Sequence, residues 1–265
     1  MTSAGSRAYV AATKDDVRRI GGSFMKSPEA RQAAEDLGLS GFECYFRGRG
    51  GVLGPMAPDV RAAVFGFFPV EFVRRHCGVS GTSSDAPDIT DRYAEACRAW
   101  GRRCLAGFSS ADRLAELLEA VADRVDAPGL PLFAGWRGVE RPADGPARVA
   151  QLAHVLREHR GGLHLSAVLA TGLTPLEATL TRDNGPARAR FLGWALPYPI
   201  VDGETRARRA AAEELTDRMA APAYGVLSAA DADELGGLLR AASALAMSRH
   251  RPVVRAGAAT TSAPL

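Results

Sequence analysis

The chain has 265 residues, 46% of them hydrophobic and 24% charged, with a formal net charge of +3. That length suits one large globular domain or two small ones; the composition is too apolar for a disordered chain and too nearly neutral for a dedicated nucleic-acid binder, which carries a clustered basic excess. No run of about 18 apolar residues exists to span a membrane, and the first ten residues lack the basic flank and apolar stretch of a secretory signal, so a soluble, cytoplasmic protein is expected.

Helical periodicity dominates the chain. Ser27-Pro28-Glu29 predicts an N-cap, a proline at the first helical position and an acid in the first turn, for a helix reaching Leu37 and stopping near Gly38. The apolar segment Phe42 to Phe46 leads into Arg47-Gly48-Arg49-Gly50-Gly51, read as a glycine-rich loop, and Pro58 opens a helix that ends at Gly66-Phe67-Phe68-Pro69. Residues 78–87 are Ser/Gly-rich and predict an exposed loop. Asp88 to Leu105 reads as a long helix with Tyr93, Cys97, Trp100 and Cys104 on one side. The four cysteines (Cys44, Cys77, Cys97 and Cys104) form no Cys-x-x-Cys pair and read as small buried residues in a reducing compartment.

Ser109 with Asp112 suggests a capping box, followed by the apolar stripe Leu114, Leu117, Leu118 and Val121. Pro131 to Arg137 is an apolar connector. Val139 to Pro146, with three breakers, is the preferred boundary between an N-terminal helical half (1–138) and a C-terminal helical half (147–250), with 251–265 as a mobile tail. The second half predicts a helix from Ala147 to Arg160, a break at Gly161-Gly162, and a resumption to Thr171. A turn at Gly172-Leu173 and a capping box, Thr174-Pro175-Leu176-Glu177, complete a helix-turn-helix pattern. Pro186 to Asp202 reads as irregular; Glu204 to Ala220 and Ser228 to Met247 read as the last two helices. The apolar stripe from Leu235 to Met247 suits either the core or a homodimer interface. No stretch alternates as a strand does, so the predicted fold class is all-α and multi-helical. Leu37-Gly38-Leu39 before Phe42-Glu43 is echoed by Thr171-Gly172-Leu173 before Leu176-Glu177, a short internal similarity.

Chemistry concentrates around Arg157-Glu158-His159-Arg160. His154 and Glu158 share a helix face, Arg157 and Arg160 lie on a neighbouring one, and His164 follows the two glycines. Such a set serves two ends. It can hold an anion through arginine forks while Glu158 or His164 moves a proton, or it can tie helices together as a buried ion-pair network. Tyr45, Arg47 and Arg49 beside glycines form a second candidate anion contact, and Trp136 a candidate pocket wall between the halves. No His-Glu-x-x-His motif points to a metal site, and no P-loop, nucleophile elbow or dinucleotide fingerprint names a cofactor.

Four blocks resemble the SalK-like helix-turn-helix family of actinobacteria, related to MarR-type winged helices: Ser27-Pro28-Glu29-Ala30 with Gly38-Leu39; Tyr45-Phe46 and Gly48-Arg49 with Leu53-Gly54-Pro55; Leu156-Arg157-Glu158-His159-Arg160-Gly161 with His164; and Leu215-Thr216-Asp217-Arg218 with Ala221-Pro222. Members are commonly encoded near specialised-metabolite genes, so the resemblance implies a role in natural-product metabolism. It also implies a recognition helix and wing, but only Thr181 to Glu214, with Pro186, Pro197, Pro199 and Gly203, fills that stretch here. A shortened recognition region leaves little room to present side chains along a major groove. The expectation is therefore a protein binding a small anionic or carbonyl-containing molecule, with acid/base enzyme chemistry favoured. Glu158 and His164 would be its catalytic groups, and Tyr45, Arg47, Arg49, Trp136, Arg157 and Arg160 its substrate contacts. The alternatives are a winged-helix-like regulator, with Arg182, Arg188, Arg190, Arg206, Arg208 and Arg209 on DNA phosphates, and a metabolite-sequestering resistance protein.

Overall fold

Helix starts follow the capping chemistry of the sequence. Ser27 Oγ accepts the Ala30 amide at 3.3 Å, Asp144 Oδ1 that of Ala147 at 3.0 Å, and Ser228 Oγ that of Asp231 at 3.0 Å. Ser40–Glu43 and Thr174–Glu177 are complete capping boxes. The computed structural model describes residues 3–77 and 87–251, and these residues are all-α, without a strand. In chain order the helices are α1 (Ser3–Ser23), α2 (Pro28–Asp36), α3 (Gly41–Gly50), α4 (Pro58–Phe65), α5 (Val70–Cys77), α6 (Pro87–Cys104) and α7 (Ala111–Arg124). They continue as α8 (Pro131–Arg137), α9 (Gly145–Ala170), α10 (Pro175–Leu180), α11 (Gly185–Phe191), α12 (Gly203–Ala220) and α13 (Ala229–Arg249).

The helix α9 is apolar on nearly every side over its first three turns, the pattern of a helix surrounded by others, and α1, α6, α7, α8 and α12 pack round it. The main core joins Trp100 of α6, Leu114 and Leu118 of α7, Phe133 and Trp136 of α8, Leu152 and Leu156 of α9, and Leu235 and Leu239 of α13, all buried. Each such leucine contributes roughly 1.5–3 kcal/mol by leaving water. The apolar stripe of α13 is thus taken up by the core, and this single cluster draws on residues from both sides of Val139–Pro146. A second cluster, Phe46, Phe65 and Val73 with Phe42, Phe68 and Phe72, knits α3, α4 and α5. A third, Ala167, Val168, Leu173 and Ala178 with Phe67, lies under the turn between α9 and α10.

Five local expectations are corrected. The helix α9 runs unbroken through Gly161-Gly162, and α3 runs to Gly50 through the stretch read as a loop. A glycine costs a helix only about 1 kcal/mol relative to alanine, less than the packing of either helix returns. Residues 131–137 form α8, not a connector. Ser110 rather than Ser109 precedes α7, and it makes no side-chain cap; Asp112 faces Arg148 at 3.7 Å instead. Residues 185–191, expected to be irregular, form α11, with Pro186 in its first turn where proline is tolerated. The Ser/Gly-rich residues 78–86 and the tail beyond 251 lie outside the described residues.

Candidate functional site

Residues four apart on a helix share a face, and α9 uses that spacing to set His154 beside Glu158, both buried. Arg49 of α3 grips Glu158 bidentately, Nε to Oε1 at 2.8 Å and Nη2 to Oε2 at 2.5 Å. Arg157 donates Nη1 to the same Oε1 at 2.7 Å, and His154 Nδ1 lies 3.7 Å away, closer to the Gly21 carbonyl oxygen at 3.1 Å. Arg49 also donates to the Tyr45 hydroxyl at 2.7 Å and sits 4.6 Å from the centre of the Phe65 ring. Burial alone would raise the Glu158 carboxyl, but Arg49 and Arg157 outweigh it and hold the group well below the usual carboxylate range. Burial lowers His154 to about 4 despite Glu158, so its imidazole is neutral at pH 7.

Beside this network opens a cavity of about 1780 Å³, walled by α1, α3, α9, α10 and α11. Of the residues expected at a site, Tyr45, Arg49, Arg157, Glu158, Arg160 and His164 line it. Trp136 and Arg47 do not. Trp136 is buried behind the network, its indole N–H donating to the Arg49 carbonyl oxygen at 3.0 Å. Arg47 sits two residues from both Tyr45 and Arg49 on a helix, so it leaves from the other side of α3. Arg160 is engaged by Glu213 at 2.8 Å and Asp217 at 2.7 Å, and Lys14 joins the same pair of carboxylates.

His164 is the titratable group at the wall with the most chemical latitude. Thr216 gives its one hydroxyl proton to the Ala212 carbonyl at 2.6 Å, so it accepts from His164 Nδ1 at 2.9 Å. That fixes the neutral tautomer with its lone pair on Nε2. Burial, then Arg209, lowers the ring to about 4. Arg182 and Arg188 also line the cavity, from the turn before α11 and from α11 itself. Among the described residues neither has a hydrogen-bond or carboxylate partner for its side chain. Both are open to water yet ringed by protein. Burial, followed by Arg188, Arg209 and Arg18, pushes the Arg182 guanidinium down from its ordinary value. Arg188 is lowered by burial and by Arg18 and Arg157, with Tyr45 opposing. Sequence reading placed these two arginines on DNA. The signal for a pocket was the lack of any acid three or four residues from either.

The turn after α9 completes the picture. Gly172 adopts φ +75, the Gly172 amide bonds Leu169 O at 3.0 Å and the Leu173 amide bonds Val168 O at 3.1 Å, a Schellman stop. The Thr174–Glu177 capping box then starts α10 at once, giving helix, tight turn and helix. The same device joins α2 to α3, where Gly38 has φ +65, Gly38 and Leu39 amides bond Glu35 O and Ala34 O, and Ser40–Glu43 caps α3. The short echo in the sequence is therefore one turn built twice. A profile described as a helix-turn-helix family matches residues 11–252. The chain belongs to this helix-turn-helix family. No curated protein and no solved structure matches it. In this helix-turn-helix family member α10 carries no basic residue, and Ala178, Thr179 and Leu180 face inward. Ala178 and Thr179 help wall the cavity. Among the described residues, no helix is long and apolar enough to cross a membrane.

Proposed function

We propose that this protein binds an anionic small molecule in the cavity between α3, α9, α10 and α11, using a helix-turn-helix scaffold as the frame of a pocket. The supporting observation is that Arg182 and Arg188 line the cavity with no side-chain hydrogen bond or ion pair among the described residues, in company with Phe42, Phe67, Phe68 and Phe191. Both guanidiniums are exposed to water at the cavity, so their forks are free to take up an anion, and a ligand supplies one. The resemblance to SalK-like proteins favours an intermediate of actinobacterial specialised metabolism as that ligand. The enzyme form of this reading rests on His164 as the proton carrier, because Glu158 is fully engaged by Arg49 and Arg157. Its signature is turnover lost in His164→Ala with ligand binding kept.

The anionic dye 8-anilinonaphthalene-1-sulfonate is a suitable probe, since it pairs one negative charge with aromatic rings. Arg188→Gln removes a charge-assisted contact and should weaken dye binding about tenfold or more. Gly161→Leu fills the cavity without touching a charge, because a side chain at Gly161 meets open space at the wall. It should abolish dye binding. Undiminished fluorescence titration in both variants would remove the cavity as the site.

Membership of a helix-turn-helix family favours a second reading, a DNA-binding regulator. Of the arginines placed on DNA, Arg208 pairs with Glu204, Arg209 pairs with Glu213, and Arg182 and Arg188 face the cavity. Arg190 and Arg206 alone remain to meet phosphates. Gel-shift titration against the promoter of its own gene decides between the readings. A regulator gives retardation whose affinity falls steeply with salt. No retardation at about 50 mM salt is expected if the protein only binds small molecules.

A further inference from the structure

The balance of charge around the cavity carries the assignment of its ligand one step further. Two ion-pair clusters flank it, and each holds one cation more than it has carboxylates. Arg49 and Arg157 share Glu158 alone. Lys14, Arg160 and Arg209 share Glu213 and Asp217. Between the clusters stand Arg182 and Arg188, with no carboxylate partner among the described residues. Arg182, Arg188, Arg157 and Arg160 all line this one cavity, and Arg188 and Arg18 weigh on the charge of Arg182, with Glu213 opposing. A single negative charge leaves most of that excess unmet.

We propose that the pocket takes a dianion, an organic phosphate monoester with an apolar, aromatic-sized body, in preference to a carboxylate. The proposal rests on the anion-pocket reading above. A phosphate monoester carries close to two charges at pH 7 and three terminal acceptor oxygens, enough for the forks of Arg182 and Arg188 together. Phe42, Phe67, Phe68 and Phe191 line the same cavity and suit the apolar body.

The test is calorimetric titration with three probes sharing one ring system: 1-naphthyl phosphate, its monoanionic methyl ester, and 1-naphthoate. The monoester should bind at least about tenfold more tightly than either monoanion. Arg182→Gln and Arg188→Gln should each bring the monoester close to the monoanions while leaving the thermal melting point unchanged, because neither side chain supports another residue. Equal affinity of the methyl ester and the monoester, or a preference that survives both substitutions, overturns the dianion. If 1-naphthoate binds as well as the monoester and loses affinity in Arg188→Gln, the anion pocket stands and only the dianion falls. If no probe binds, both fall.

Discussion

Replacing Glu158 with alanine is expected to lower the unfolding free energy by about 3–5 kcal/mol, the usual consequence of removing one partner from a buried ion pair. The Glu158 side chain is 1% exposed and that of Arg49 10%. Without the carboxylate, Arg49 keeps only its contacts with the Tyr45 hydroxyl and the faces of Tyr45 and Phe65. Arg157 is affected less, being able to turn towards the cavity. Glu158→Gln keeps the shape and some acceptors and should lose less than alanine. Urea unfolding followed by helical circular dichroism reads the difference as a lower midpoint at unchanged slope. A loss under about 1 kcal/mol for Glu158→Ala would show that the network does not hold α3 on α9.

Acid should unfold the protein earlier than its carboxylates alone dictate. Burial lowers His154, His159 and His164 from 6.5 to about 4 each. The unfolded chain therefore takes up protons between about pH 6.5 and 4 that the folded chain refuses. Stability is fully present above that range and is lost as pH falls through it. With the partly accessible His164 discounted, the loss from pH 8 to pH 5 is about 4–5 kcal/mol. Glu158 and Glu213, both held low in the fold, add their own loss only below the ordinary carboxylate range. Urea midpoints measured from pH 8 to pH 5 check this, and a flat profile would mean that the buried rings are solvated. His159 packs on Phe133 at 5.2 Å between ring centres, and burial alone shifts it. His159→Phe should thus remove about one proton from the pH slope.

The parts of the fold governed by local rules were readable in the chain. Ser27, Thr174 and Ser228 start helices because a short hydroxyl satisfies an amide that the first turn leaves free; the same device at Ser40 went unread. Proline and glycine misled where tertiary packing outweighed a small local cost, as at Gly161-Gly162 and at Pro186. Those misreadings propagated into the site. Once α3 is a helix, Tyr45 and Arg49 fall on one face and Arg47 on another, a phase that a loop does not possess. Read as a connector, Trp136 was free to face a pocket; as part of α8 it turns inward to Arg49 and His154. The pairing of Arg49 with Glu158 spans 109 residues and lay beyond any periodicity argument.

The repeated turn has a consequence for how a ligand is received. At both copies a left-handed glycine and a reciprocal cap fix the angle at which the second helix leaves, and those second helices, α3 and α10, both wall one cavity. Little backbone freedom remains there to be lost when a guest arrives. The entropic penalty of association then falls mainly on the side chains and on α11, whose principal packing partner is α10. Two walls stand preset while the third, carrying Arg188, settles on the occupant, so residence time should be governed by how firmly α11 is drawn down.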